Sequence, residues 1–332
     1  MHQRGALSTL WQLAIVTGIV LVSILNIWLK TWDDGWRISY GGNILFALVL
    51  IAMLSIMPES PRWLVGKGRE AEAREAMSAI RFEDQVKGEM ELLALEAEEE
   101  KERGDATWSE VFSSENNVRY RVLMGMGFLM IQQLSGINAI MFYAPSIIER
   151  FFGADGGIYG GLALNTVNFL STFVTIATVE KYGRVFLLST GAVLMFLSLA
   201  VCAVLSNDAI AQTDAVGYCV IIFSALYIIG FAYSWGPLLW VVCAEMFPLR
   251  VRGKAAGLTT FSHWFWTTIV GAVFPHASNA SLSGCFAFFA GSVVVGFVVV
   301  YFYLPETSNK SIIEIDELFE NHKPEFPRKK FN

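Results

Sequence analysis

Apolar residues along this chain come in long blocks, not in the short periodic stripes of a soluble helix or the alternation of a strand. A helix needs about 20 such residues to cross the hydrocarbon core of a bilayer. The blocks predict eight membrane spans, near 7–29, 38–57, 121–148, 158–179, 186–206, 216–244, 255–275 and 282–304. An even number puts both ends of the chain on one side. Two spans come first, then a polar stretch over 58–119, then six spans, which is the pattern of the end of one bundle joined to a whole second one. The polar stretch is itself predicted as helix: "REAEAREAMSAIRFEDQVKGEMELLALEAEEEKERG" is rich in good helix formers, and Gly104 stands where a helix would stop. It reads as a charged connector in solvent.

Composition sharpens this picture. Of 332 residues 54% are hydrophobic and only 16% charged, too oily for a soluble domain. Lys and Arg set the orientation. Outside 58–119, one set of ends and loops holds eleven of them, from Arg4 through Lys181, Arg184, Arg250, Arg252 and Lys254 to the tail, against three (Lys30, Arg37, Arg150) on the other. The positive-inside bias therefore places the termini in the cytoplasm. The net charge of −6 resides in the 58–119 stretch, whose balance is −7, and nucleic acid is not implied. All four cysteines lie in apolar spans, as small buried residues. The first apolar run is long enough to span and is not followed by a signal-peptide cleavage site. It starts almost at Met1, which leads us to expect a longer protein.

Gly and Pro punctuate the spans. Gly136 and Pro145 fall in the third, Gly236 and Pro237 in the sixth, and Pro275 at the end of the seventh. Such breaks are tolerated in a membrane where protein, polar side chains or a wet cavity satisfies the freed backbone, so the third and sixth spans are expected to line a cavity. The third carries "MIQQLSGINAIMFYAP", with Gln132, Gln133 and Asn138. These amides both donate and accept without charge, which suits a ligand covered in hydroxyls. Their alternative use is plain hydrogen bonding between helices. On an ideal helix Gln133 and Asn138 would point roughly 140° apart, and they converge only if the chain loosens at Ser135 and Gly136. The sixth span offers Trp235 and Trp240 around its break, and the seventh Trp264; indole faces pack well on the C–H face of a pyranose. None of the eight spans has Asp or Glu near its middle, so a carboxylate proton carrier is lacking in them. His263 is read as a neutral hydrogen-bonding partner. Opposite charges recur at the cytoplasmic ends, in "PESPRW", "VEKYGR", "AEMFPLRVRGK" and "PETSNKS", as a transporter's breakable gate would need. No nucleophile–base pair or metal-ligand spacing points to an enzyme, a metal or a cofactor.

"PESPRWL", "QQLSGINAIMFY", "VEKYGR", "WGPLLWVVCAEMFPLRVRG" and "PET" resemble the signature segments of the sugar porter family of the major facilitator superfamily, most of all its fungal-type hexose transporters. The resemblance covers essentially the whole chain. It implies an all-α membrane protein, a major facilitator fold fragment of about eight transmembrane helices. Residues 1–57 would be a partial N-terminal bundle with the fifth and sixth of twelve helices, 58–119 the cytoplasmic helical linker, 120–305 the six-helix C-terminal bundle and 306–332 a cytoplasmic tail. Four helices would then precede residue 1, among them those bearing the proton-coupling Asp of symporters and its Arg partner. The implied sugar contacts are Gln12, Gln132, Gln133, Asn138, Asn168, Trp240 and Trp264. The implied cytoplasmic gate is Glu59, Arg62, Glu180, Arg184, Glu245, Arg250, Arg252 and Glu306. Departures are Ala232, where some members have an acidic residue, His263 for the usual amide beside Trp264, Val185 for a second Arg, and "SNKS" after "PET".

The expected function is transport of a monosaccharide, a hexose, across the plasma membrane, with proton coupling left open and no cofactor or metal. The alternatives are a sugar sensor that does not transport, or an inactive truncated transporter. Asn279 in "NAS" is a glycosylation pattern consistent with an outer loop.

Overall fold

A computed structural model describes residues 4–104, 106–211, 213–308, 310 and 312–321; for a few of these, Glu180 among them, only the backbone is described. The chain divides into two compact units, residues 32–107 and residues 1–31 with 108–332.

The smaller unit holds the apolar helix α2 (Gly35–Ile56) and three short helices, α3 (Pro61–Gly66), α4 (Glu70–Ser78) and α5 (Glu83–Arg103). The stretch over 69–104, expected as helical, forms two helices divided at Ala79–Phe82, and Gly104 (φ 65°) ends the second. The short helices close on a small core of Leu64, Val65, Ala73, Met77, Val86 and Met90. The spacing from Ala73 to Met77 and from Val86 to Met90 is one helical turn, so each amphipathic helix turns one apolar face inward. Arg69 binds Glu72 through two bonds of 2.8 and 2.6 Å, which holds that carboxyl below its ordinary range.

The larger unit is a helical bundle. It comprises α1 (Arg4–Leu29), α6 (Trp108–Val111), α7 (Val118–Leu134), α8 (Ile137–Tyr182), α9 (Arg184–Leu205), α10 (Asp214–Gly230), α11 (Gly236–Met246), α12 (Arg252–Ala280), α13 (Leu282–Tyr303) and α14 (Ile312–Asn321). Helix α9 packs on α10 and α13, α7 on α12 and α13, and α8 on α10 and α1. By length and hydropathy six stretches among the described residues can cross a membrane. One of them, Glu115–Thr175, is 61 residues long and contains the predicted third span and most of the fourth, parted at Gly153 (φ 72°). The predicted seventh span corresponds to α12, which carries Ser262, His263, Thr267 and Thr268 and is not among these six.

Both expected helix breaks are present, each with its own geometry. The third span is interrupted between α7 and α8, where Gly136 takes φ 89°, a left-handed conformation only glycine adopts freely. Phe289 of α13 sits against its Cα, leaving no room for a side chain. The sixth span widens into a π-helical turn, Phe231–Trp235, just before Pro237. Proline lacks an N–H and its ring crowds the carbonyl four residues earlier, so the chain adds a residue to the turn instead of continuing as α-helix.

Candidate functional site

The loosened turn at Gly136 brings Gln133 and Asn138 together: Asn138 Nδ2 donates to Gln133 Oε1 at 2.6 Å. Gln133 Nε2 donates to His263 Nδ1 of α12 at 3.0 Å. An amide nitrogen only donates, so the imidazole meets Gln133 as an acceptor. Trp240 of α11 lies beside His263, with ring centroids 4.8 Å apart and planes at 60°. Three helices thus converge on one row of uncharged polar groups closed by an aromatic face.

Gln132 bonds to a different element. Its Nε2 donates to the carbonyls of Trp235 (2.6 Å) and Gly236 (3.2 Å), where the π-turn passes into α11. Its Oε1 is buried without a hydrogen-bond partner. Asn168 is in the same condition: 6% exposed, with Oδ1 unpartnered. It shares a stripe of α8 with Thr175, two turns on, and Thr175 Oγ1 donates to the π-turn carbonyl of Ala232 at 3.0 Å. Ser135 donates to the Gln132 carbonyl at 2.6 Å, and Tyr227 of α10 to the Ser135 carbonyl at 2.9 Å, so the break is pinned from both sides.

The other expected contacts fall elsewhere. Gln12 is half-buried on α1. Trp264 is 62% exposed and edge-on to His263. Trp235 is a core residue, 1% exposed, that donates to the Leu188 carbonyl at 2.9 Å. Asn165, beside Asn168 in sequence, donates to Ser23 of α1 at 2.9 Å.

At the start of α9 lies a buried charged cluster. Arg184 bonds Glu245 of α11 at 3.0 Å, with side chains only 5% and 9% exposed, and also reaches Ser308 Oγ at 2.8 Å. Thr307 Oγ1 donates to the other Glu245 oxygen at 2.7 Å. Glu306 accepts the backbone N–H groups of Arg184 and Val185, both at 2.9 Å, so it caps the start of α9 where the helix dipole favours an anion. Val185, though not the Arg of the family pattern, takes part through its backbone.

The remaining expected gate charges are placed apart from this cluster. Arg250 pairs with Glu110 at 2.5 Å, which raises the Arg250 pKa, and Arg252 donates to the Phe247 carbonyl at 3.0 and 3.2 Å. Glu59 and Arg62 belong to the smaller unit. The side chain of Glu180 lies outside the described residues.

Sequence reasoning passed over Arg121. It is 0% exposed, donates to the Met246 carbonyl at 3.2 Å, ion-pairs with Asp316 of α14 and lies over the Phe319 ring at 5.0 Å. A lone Arg at the head of an apolar block was the signal, since a charge there demands a partner. Among the described residues no group of His, Cys, Asp and Glu could hold a metal ion.

These features have a counterpart in known proteins. The family described as "Sugar (and other) transporter" matches residues 1–319. The chain belongs to this sugar transporter family. It is 33% identical to a galactose transporter of Saccharomyces cerevisiae, over 96% of this chain and 58% of that one. It is 34% identical to hexose transporter 2 of Kluyveromyces lactis, over 96% and 59% respectively. The chain thus spans about three-fifths of the length of these sugar transporters. Its fold is that of the major facilitator superfamily: it superposes on the proton:xylose symporter XylE bound to 6-bromo-6-deoxy-D-glucose with a TM-score of 0.78 at 24% identity, covering 96% of this chain and 68% of that one. It is accordingly an integral, multi-pass membrane protein, in a family of carriers and not of enzymes.

Proposed function

We propose that this protein takes part in transmembrane transport of a monosaccharide, a hexose, by alternating access. The sugar would lie against Gln133, Asn138, His263 and Trp240, with Gln12, Gln132, Asn168 and Trp264 as further contacts. The observation that carries this reading is the convergence of the uncharged amides beside two broken helices. Sugar hydroxyls both donate and accept, so they would satisfy the unpartnered oxygens of Gln132 and Asn168. A carboxylate or ammonium ligand would meet no charge of either sign in this row.

The Arg184–Glu245–Glu306 cluster is proposed as the gate that holds one state closed at the cytoplasmic side, with Glu59, Arg62, Glu180, Arg250 and Arg252 in support. Cytoplasmic termini follow from the Lys/Arg asymmetry of the loops, and the plasma membrane is the family's usual residence. The 1–57, 58–119, 120–305 and 306–332 partition belongs to the same proposal. Hexose uptake into liposomes containing the protein tests it. Gln133→Ala should cut apparent affinity about tenfold, the loss expected for two neutral hydrogen bonds. Uptake with unaltered affinity in that variant would count against the site.

A further inference from the structure

Two cavities meet at the turn between α12 and α13, at the end of the bundle remote from Arg184. One is a groove of about 540 Å³ walled by Val270, Val273 and Phe274 of α12 and by Cys285, Phe288 and Phe289 of α13. No charged side chain lines it. The other, about 170 Å³, is polar and lined by Arg150, Ser206, Asp208, Ser278 and Asn279. Ala280 and Ser281 border both, so the groove and the polar cavity lie side by side.

The polar cavity is incompletely satisfied. Ser206 is 7% exposed and its Oγ is buried without a hydrogen-bond partner. Arg150 reaches Asn279 Oδ1 only at 3.4 Å and forms no ion pair among the described residues. Asp208 opens onto the same space, so the cavity presents one cation and one anion. An apolar groove beside a small cavity that presents one cation and one anion, on a membrane-spanning bundle, has the polarity of one amphiphile.

We propose that these cavities form a binding site for a zwitterionic glycerophospholipid, its phosphate held by Arg150 and Ser206, its ammonium directed to Asp208, and an acyl chain in the α12–α13 groove. A sugar gains nothing from an all-apolar wall. An anionic lipid would leave Asp208 facing a second negative charge. A neighbouring helix could fill the groove but would supply no phosphate to Arg150.

The test is native mass spectrometry of the full chain in mild detergent, supplied with dioleoyl phosphatidylcholine or with dioleoylglycerol, which has the same chains and no headgroup. One phosphatidylcholine should be retained per chain and dioleoylglycerol should not. Arg150→Gln and Val273→Trp, both remote from the amide cluster, should each lower retention about tenfold, as loss of a charge-assisted bond implies for the first. Arg150→Lys should preserve it, and Asp208→Asn should shift preference towards phosphatidylglycerol. Equal retention of dioleoylglycerol, or phosphatidylcholine retention unchanged in both Arg150→Gln and Val273→Trp, would overturn the proposal. Because the readout is lipid mass, it stands or falls independently of sugar binding.

Discussion

Gln132 and Gln133 are adjacent in sequence and do different work. Gln133 is oriented by His263 and Asn138 and faces the candidate site, whereas Gln132 Nε2 is spent on the carbonyls of Trp235 and Gly236. Gln132→Leu should therefore lower stability by about 1–3 kcal/mol, because two buried hydrogen bonds are lost. Gln133→Ala should instead act mainly on sugar affinity, and thermal unfolding of the two variants side by side separates these effects. The amides were legible in the sequence because polar groups inside an apolar block need a reason. Arg121 obeyed the same rule and was still missed: its partner Asp316 is 195 residues away, in a tail that hydropathy does not mark. Trp264 was legible as an aromatic beside a polar residue, yet which face of α12 it occupies could not be read from spacing alone.

At the scale of elements, the breaks carry the site. "LSG" in the third span and "WGP" in the sixth announced a loosening, but that one is a left-handed turn at Gly136 and the other a π-turn before Pro237 depends on packing. Gly136→Ala should cost about 1–3 kcal/mol, since it puts a side chain at φ 89° and into Phe289. The same change should separate Gln133 from Asn138 and weaken sugar binding. The start of α9 makes a second test. Arg184→Ala leaves Glu245 buried without its cation and should destabilise by about 3–5 kcal/mol, while an apolar replacement of both partners should cost much less. A double-mutant cycle read by thermal melting checks this, and a loss in the double variant equal to the sum of the two single losses would argue against a coupled pair. Where α1 ends, Lys30 bonds Asp155 at 2.6 Å near Gly153, holding that carboxyl below its ordinary value. The sign follows: any stabilisation from the pair is fully present above pH ~4 and is lost as pH falls through the lowered pKa. Both groups are solvent-exposed, so hydrogen exchange at the end of α1 should respond to Asp155→Asn only slightly.

Across the whole molecule, the number and order of the spans were written in the hydropathy, and their mutual packing was not. Lipid-facing and buried positions are equally apolar in a membrane helix, so the sequence does not say that α9 lies between α10 and α13, nor that α7 is clasped by α12 and α13. The polar exceptions do say it. Gln133 joins α7 to α12, Gln132 joins α7 to the turn before α11, and Glu245 joins α11 to α9. Polar bonds that fix helix neighbours are the ones that would have to persist, or break, as a carrier changes state. The central claim is that the uncharged row at Gln133, Asn138, His263 and Trp240 recognises a sugar. Equilibrium binding of labelled D-glucose to the purified protein, beside Gln133→Ala, tests it most directly. Saturable binding that hexoses compete for, charged small molecules do not, and the substitution weakens about tenfold is the predicted result. Saturable binding left intact by Gln133→Ala, or no saturable binding at all, would contradict it.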